Sequence, residues 1–395
     1  MMDETMTLDR PGADAPLSVD VAVVGGGPTG MIAAIGAADA GWSTVLIAPQ
    51  RKADPRTTAL LMPAVHMLQG LEVWDDVEPH SAPLATMRIV DDTGRIPRAP
   101  EIAFDAHEVN LDQFGFNIPN DALNAALAAR LEHKGVHVRT ASATNFVEGE
   151  RARVETEAGP VEAGLVVAAD GSRSMIREAA GISVRQWRYE QSAFVTTLTH
   201  QRPHGNASTE FHTETGPFTL VPLPGDRSSL VWVVRPDDAE RLAGREPGPL
   251  AQEIERAAHS ILGRMRVDGP RGVIPMESLI AHSFGKGRAV LVGEAGHRFP
   301  PIGAQGLNLG ARDCAVLREL LVDAKRRGDL TGLAQRYDRR RRLDVGVRTA
   351  GVDLLNRSLL TDAFPVAAGR TLALTAARTL PGVRRTMMRF GLGTG

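Results

Sequence analysis

A valine-rich run that breaks into glycines near the start of the chain restricts its fold more than any other feature. Val19–Val24 (VDVAVV) has the continuous apolar character of a strand buried on both faces of a parallel sheet. Gly25-Gly26-Gly27-Pro28-Thr29-Gly30 follows, with the GxGxxG spacing at Gly25, Gly27 and Gly30. Met31–Ala40 then reads as a helix with small residues on its packing face, Gly41-Trp42 as a turn, and Ser43–Ile47 as a second strand. This strand–turn–helix–strand start is that of a doubly wound sheet that binds a dinucleotide. The first glycine permits the tight turn, the second lets backbone approach a pyrophosphate, and the third lets helix pack close to strand. The helix N-terminal amides, with Pro28 and Thr29 in the first turn, then face the phosphates. An acidic residue that would bind the adenosine ribose is expected about 20 residues on, at the end of the second strand. Ala48 occupies that place, leaving Gln50 or Arg51 to make the contact or the ribose more weakly held.

Two further glycine constellations lie downstream. Val166-Val167-Ala168-Ala169 runs straight into Asp170-Gly171, and Ser174 suits a helix cap. Ala289–Val292 runs into Gly293-Glu294-Ala295-Gly296-His297. A proline-stiffened loop, Pro300-Pro301-Ile302-Gly303-Ala304-Gln305-Gly306, then feeds a helix that opens with Leu307-Asn308 and contains Asp313. Such a loop can set backbone amides against developing negative charge. Between these motifs, Pro119–Lys134 has leucines at 123, 127 and 131, the spacing of an amphipathic helix. Ser192–Val234 alternates in short runs broken by Pro and Gly, the pattern of an antiparallel sheet.

Composition excludes several classes. At 395 residues the chain is long enough for two or three domains. A 43% apolar and 23% charged content is that of a globular protein, and a net charge of −2 gives no reason to expect nucleic acid as a partner. A lone cysteine, Cys314, rules out an internal disulfide and a cysteine-based metal site. His200 and His204 are spaced four apart, but Pro203 argues against the helix a metal pair would need, so no metal is expected. The acidic N-terminus has no apolar run, and no stretch reaches the length of a membrane span, so a cytoplasmic protein is expected. Leu333–Gly395 carries twelve arginines and four aspartates, which leaves open a peripheral contact with an anionic membrane or with an acidic partner.

The three glycine motifs, in this order and spacing, resemble the flavoprotein monooxygenases of the para-hydroxybenzoate hydroxylase fold. Asp54-Pro55-Arg56-Thr57-Thr58-Ala59-Leu60, Phe116-Asn117-Ile118-Pro119-Asn120, the loop Gly303–Gly310 and the stretch Val352–Arg357 narrow the resemblance to the ubiquinone-biosynthesis hydroxylases. The resemblance implies an α/β chain: a Rossmann-like FAD-binding domain, an inserted, mainly antiparallel substrate sheet, and a helical C-terminal segment. The expected division is 18–82, 110–185 and 282–332 for the FAD domain, 83–109 and 186–281 for the substrate sheet, 333–395 for the helical segment, and 1–17 for a flexible tail. Carried over by motif, Gly25, Gly27, Pro28, Thr29 and Gly30 hold the ADP part of FAD. Asp170 and Gly171 match the second motif. Glu294 stands where the family has Asp, at the ribityl end. Arg56 and Asn120 lie near the flavin, and Pro301, Gly303, Gly306, Leu307 and Asn308 surround its ring, the amides of the last two at the pyrimidine edge. The implied reaction is hydroxylation of a polyprenylated phenol by O2 through a flavin C4a-hydroperoxide, with NAD(P)H or another donor as reductant. A quinone-biosynthesis complex is an implied partner. No protein nucleophile is required, so no catalytic acid or base is named. A paired-tyrosine relay is not expected from the two tyrosines, Tyr189 and Tyr337. Two alternatives stay open: a non-catalytic flavin-binding scaffold, and a related aromatic-compound hydroxylase. His297 reads equally as a flavin or substrate contact and as a buried, hydrogen-bonded side chain.

Overall fold

The computed structural model describes residues 16–51, 53–94, 99–300, 305–342, 344–346, 375 and 379–392. Along the chain, β1 (Leu17–Val24), α1 (Pro28–Asp39) and β2 (Thr44–Ala48) are followed by β3 (Thr57–Leu61), β4 (Thr86–Asp91), β5 (Ile102–Asp105) and β6 (Gly115–Pro119). After α2 (Asn120–His133) and β7 (Val161–Ala168), the middle of the chain is strand-rich: β8 (Val184–His200), β9 (Ala207–Thr213), β10 (Gly216–Leu223) and β11 (Arg227–Val234). Then come α3 (Pro236–Gly244), α4 (Pro247–Ala257), β12 (Gly272–Ala281), β13 (Ala289–Leu291), β14 (His297–Arg298), α5 (Gln305–Arg327) and α6 (Pro381–Leu392).

The apolar β1 forms the centre of a parallel sheet. It pairs with β7 on one side and β2 on the other, and β13 extends the sheet beyond β7. Its side chains are buried on both faces because α1 and α5 cover one face and the segment at Ile176–Ile182 covers the other. The small residues of α1 let it lie against α5: Ala33, Ala34 and Ala37 are fully buried, and Gly36 faces the stem of Arg318. All three glycine motifs leave the carboxyl ends of adjacent strands, β1, β7 and β13. Ligands bind at that edge of a doubly wound sheet.

A nine-stranded sheet adjoins this unit in the order β14-β12-β8-β11-β10-β9-β4-β5, with residues 265–267 added to β8. It is antiparallel except where β4 meets β9. Its outer face carries Phe194, Leu198, Phe218, Leu220 and Leu230, which are buried under Leu242 of α3 and Leu250 and Ile254 of α4. The alternate residues form an inner face, and in the sheet's centre they are only half-buried: Val195, Thr219, Val221 and Val231. That alternation of buried and half-buried residues marks the inner face as the wall of a cleft. The expected mainly antiparallel sheet is therefore present, with one parallel pair at its edge.

The helices expected after Leu307 are seen in α5, in residues 333–342, and in α6. Val352–Arg357 lies outside the described residues. No described helix is long and apolar enough to cross a membrane.

Candidate active site

The first loop is built from backbone. Gly25 sits at φ +121°, and its amide donates to the Ile47 carbonyl at 2.9 Å. A Cβ on Gly25 would fall 2.1 Å from the Ala169 carbonyl oxygen, and one on Gly30 only 1.9 Å from the Gly25 oxygen. Gly27 differs, because a Cβ there meets nothing within 4 Å. It is the N-cap of α1, supplies no side-chain cap, and is followed by Pro28 at the first helical position. The α1 amides therefore open onto empty space, as a phosphate site needs. Ala48 packs against this loop, since a Cβ on Gly26 would lie 2.7 Å from its own Cβ. Arg51 turns toward the first turn of α1, with Nη1 3.6 Å from Met31 Sδ and 3.4 Å from the Asn124 carbonyl.

The second motif abuts the first. The Ala169 amide donates to the Val24 carbonyl at 2.7 Å, and Gly171, at φ +83°, borders open space. Asp170 turns inward and accepts from the Ile176 amide at 3.2 Å, while its Oδ1 has no partner. Burial pushes its carboxyl above the usual range against the hydrogen bonds from Ser174 and the local amides. Ser174 caps the following helix by accepting from Arg177 N at 3.0 Å. Arg177, itself buried, donates to the carbonyls of Ser172 and Ala295 at 3.0 Å each, which ties the second motif to the third.

The third motif rests on a buried carboxylate. Asp313 is wholly inaccessible. Its Oδ2 accepts from the Gly293 amide at 2.8 Å and lies 2.6 Å from His297 Nε2. Its Oδ1 accepts from Arg341 Nε at 2.7 Å. His297 is thus the buried, hydrogen-bonded side chain of the two readings, stacked on Phe299 with ring centres 5.6 Å apart. Thr29 is not turned only toward the phosphates. It is the spacer between motifs, 3.0 Å from a Cβ placed on Gly293 and 2.8 Å from one on Gly310. Glu294 is exposed to the cleft and close enough to act on the charge of Arg56. Gly306 borders open space in the first turn of α5, where the amides of Gln305 to Asn308 have no intrahelical acceptor. The side chain of Asn308 works in the opposite direction. It accepts from the Leu61 amide and donates to the Ala59 carbonyl, at 2.8 Å each, and so fastens β3 to α5. Pro301 and Gly303 lie outside the described residues.

Arg56 and Asn120 meet in one network. Arg56 makes a two-pronged ion pair with Asp54, at 2.7 Å for each prong, yet remains 60% exposed. Asn120 donates to Asp54 at 2.9 Å and accepts from Thr58 Oγ1 at 2.6 Å. The loop is thereby pinned to the start of α2 with its guanidinium edge open to the cleft. For Arg56 the Asp54 hydrogen bond outweighs burial and raises its pKa; for Asp54 the arginine and Asn120 outweigh burial and lower its pKa.

The opposite wall is the inner face of the large sheet. Asn117 on β6 donates to the Pro222 carbonyl at 2.9 Å and to Ser229 Oγ at 3.1 Å, joining that face to β6. On β9, His212 Nε2 lies 2.8 Å from Glu210 Oε1, and Thr219 Oγ1 donates to Glu210 at 3.3 Å. Burial pushes the Glu210 carboxyl up, but His212 and Thr219 outweigh it, leaving it below the usual range.

The remaining candidates have structural roles. His200 bonds the Arg202 carbonyl and Ser228, and His204 bonds the Leu223 and Gly225 carbonyls. Among the described residues no cluster could hold a metal. Cys314 is buried against the Thr29 carbonyl, and burial raises its thiol well above the ordinary range. Tyr337 is buried, with its hydroxyl on the Leu291 carbonyl. A surface hollow of about 700 Å³ lined by Asp20, Trp42, Glu150 and Arg288 lies at the opposite end of the parallel strands from the glycine loops.

A cofactor with a pyrophosphate at Gly27, a chain passing Glu294 and a ring at the first turn of α5 fits these surfaces. Gly27, Gly171 and Gly306, where a Cβ would meet no atom within 4 Å, would leave room for it. Residues 18–348 match the model of the FAD binding domain family. The chain belongs to this FAD-binding family. It is 33% identical to ubiquinone hydroxylase UbiL of Rhodospirillum rubrum, over 98% of this chain and 94% of that protein. It is 30% identical to the 3-demethoxyubiquinol 3-hydroxylase of Escherichia coli, over 95% and 98%. Among solved structures, p-nitrophenol 4-monooxygenase PnpA of Pseudomonas putida superposes with a TM-score of 0.78 at 19% identity, over 95% of this chain and 98% of that one. The fold is therefore that of the FAD-dependent aromatic monooxygenases, and the chain is an FAD-dependent monooxygenase acting on a small molecule with O2.

Residue choice explains what the sequence reading missed. Arg341 lies within a run of four arginines that reads as a solvated face. A buried stripe at Leu333, Tyr337, Arg341 and Val345, each four apart, is the signal that sets it off. Glu210 and His212 share a face by strand alternation, but nothing in the sequence says which face meets the cleft.

Proposed function

We propose that this chain hydroxylates the aromatic ring of a polyprenylated phenol on the route to ubiquinone, with NAD(P)H as the reductant. The observation that carries the reading is the inner sheet face, where the hydrogen-bonded pair Glu210–His212 stands on the same face as the half-buried Val195, Val221 and Val231. Bound FAD supplies the activation of oxygen, and the chain supplies placement and proton handling. Val195, Val221 and Val231 exclude water and hold a ring by shape. Glu210 stays ionised into acid and orients His212, whose ring takes the proton that a phenol hydroxyl loses as the ring attacks. Asn117 and Ser229 keep the two walls in register. The half-buried Met87 and Ile89 continue the apolar face from the Glu210 position, since Ile89 is its cross-strand neighbour, and suit an isoprenoid tail. The work of a quinone-biosynthesis complex at a membrane surface is consistent with a substrate of this kind.

The test uses the FAD-loaded protein with a prenylated phenol, NAD(P)H and labelled O2. A product carrying one labelled ring oxygen is expected. Full flavin absorbance without oxygen uptake or product would replace this reading with the scaffold alternative. Glu210→Gln should lower kcat by roughly 10²-fold, the scale of a lost general base. Because the Glu210 carboxyl is held below its usual range, its contribution to the rate should persist into acid and be lost as pH drops through that depressed value. An unchanged rate and pH profile in the variant would remove the pair from the reaction.

A further inference from the structure

We propose that Asp54 is a positioning residue for the cofactor, a carboxylate that does not contact FAD itself and fixes the angle at which Arg56 meets it. The loop makes this contact locally. Pro55 stiffens the chain between the two charges, and the Arg56 amide donates to Asp54 Oδ1 at 3.2 Å, the two-residue reach of an Asx turn. The same Oδ1 accepts from Arg56 Nε, while Oδ2 accepts from Arg56 Nη2 and from Asn120 Nδ2. Each oxygen thus holds two donors, which fills the lone pairs of a carboxylate and leaves none for a ligand. The loop backbone is held as well: the Asp54 amide donates to Asp121 Oδ1 at 2.8 Å, and the Asn120 amide donates to the Arg56 carbonyl at 2.9 Å. Arg56 is mostly exposed, and an ion pair so open contributes little to folding stability. What the pair does fix is a long side chain that would otherwise turn freely. Nε and Nη2 face Asp54, so Nη1 faces away from it, and Glu294 is close enough to act on the charge. By charge alone, Asp54 would repel an anionic cofactor and weaken its binding. By orientation it strengthens binding, because a preset guanidinium has less freedom to lose when the cofactor arrives. The two roles therefore differ in sign. The groups that face the carboxylate are Arg56 in its own loop and Asn120 and Asp121 of α2, with Glu294 of the third motif beyond the guanidinium. Burial raises the Asp54 carboxyl, but the hydrogen bonds from Arg56 and Asn120 outweigh it and hold it below its usual range. Its contribution is therefore present at neutral pH and lost as pH falls through that depressed value.

The experiment is titration of the full-length apo protein with FAD, followed by flavin fluorescence. Asp54→Asn keeps the shape, removes the charge and puts a donor where Arg56 and Asn120 need an acceptor. FAD binding should weaken roughly tenfold, with the apo melting temperature unchanged. Arg56→Gln should weaken it at least as much, and adding Asp54→Asn to Arg56→Gln should cost little more, because the one residue acts through the other. The gap between wild type and Asp54→Asn should close as pH is lowered through the Asp54 value, which a structural role for the loop would not produce. Tighter or unchanged binding by Asp54→Asn overturns the proposal, as do additive losses in the double variant or a gap that stays constant with pH. Should Asp54→Asn lower the apo melting temperature, the comparison passes to Asp54→Glu, which keeps the charge and moves it by a methylene. Weakened binding by that variant at the wild-type melting temperature supports positioning, and wild-type binding overturns it. None of these readings uses the phenol, so they stand apart from the test of the substrate.

Discussion

The glycine loop at Gly25–Gly30 and the one running from Gly293 toward the start of α5 both offer backbone amides to a ligand, but different forces hold them. The first is shaped by contact between main chains. Gly25 and Gly30 approach backbone so closely that no side chain fits, and the side chains that close on the loop are the small Cβ groups of Ala48 and Ala169. The second is shaped by charge. Its opening turn hangs on the Asp313 carboxylate, which Arg341 reaches from a helix beyond α5. A loop fixed by sterics tolerates no atom too many, whereas a loop fixed by a buried charge tolerates no partner too few.

The largest effect should come from the second loop. Arg341→Met strips the guanidinium from the buried Asp313 carboxylate and leaves it only the Gly293 amide and His297, and breaking a buried pair in this way costs about 3–5 kcal/mol. Thermal unfolding should show a large loss, and the flavin should be released before the protein melts, because the carboxylate that anchors Gly293 is no longer held in place by Arg341. Asp313→Asn with Arg341→Met removes both charges and should recover much of that loss. If the single variant is as stable as the wild type, the second loop is held by packing and the contrast drawn between the two loops fails.

The next effect separates two glycines of one motif. Gly30→Val forces an atom into the Gly25 carbonyl, an overpacking penalty of about 1–3 kcal/mol or more, and should destabilise the folded protein. At Gly27 an added Cβ meets no atom within 4 Å, so the fold of Gly27→Val should survive with an unchanged melting temperature for the apo protein. Its side chain fills the phosphate's space, and the lost charge-assisted hydrogen bonds should weaken flavin binding by about 2–3 kcal/mol. Equal melting temperatures for the two apo variants would show that the helix can retreat from the strand, against the steric account.

The same division explains how much of the molecule the sequence discloses. Strand β1, the glycine turn and α1 are legible because their constraint is local: Gly25 needs a positive φ and Gly30 a missing Cβ, and both are written within six residues. The third motif is legible as a motif, and its place at the start of α5 follows. Its support is not legible, because Asp313, His297 and Arg341 come together only when three separate elements pack. Asn308 shows the limit within one residue. Its amide belongs to the helix start expected of it, while its side chain bonds β3 some 250 positions away, at 2.8 Å to both Ala59 and Leu61. The substrate wall is the least legible part, since alternation assigns residues to faces without saying which face a distant domain will cover.

The smallest effect is the most pointed test of the first loop. Ala48 ends β2, where a carboxylate would hold the adenosine ribose, and its Cβ lies against Gly26. A carboxylate grown from that Cβ extends along the glycine loop toward the sugar, and one charge-assisted hydrogen bond there contributes about 1 kcal/mol. Ala48→Glu should therefore tighten FAD binding roughly fivefold in a flavin titration of the apo protein, with little change in its melting temperature. Arg51 sets the size of the gain. Its guanidinium rests at 3.6 Å from Met31 Sδ, beside the first turn of α1, and is available as a cation near the phosphates whether or not the carboxylate is present. If the unmodified protein already binds FAD in the low nanomolar range and Ala48→Glu weakens it, then Arg51 or Gln50 has taken over the ribose and the new carboxylate competes with it. Arg51→Gln would then cost more than Ala48→Glu gains, and the first loop would prove to depend on a charge after all.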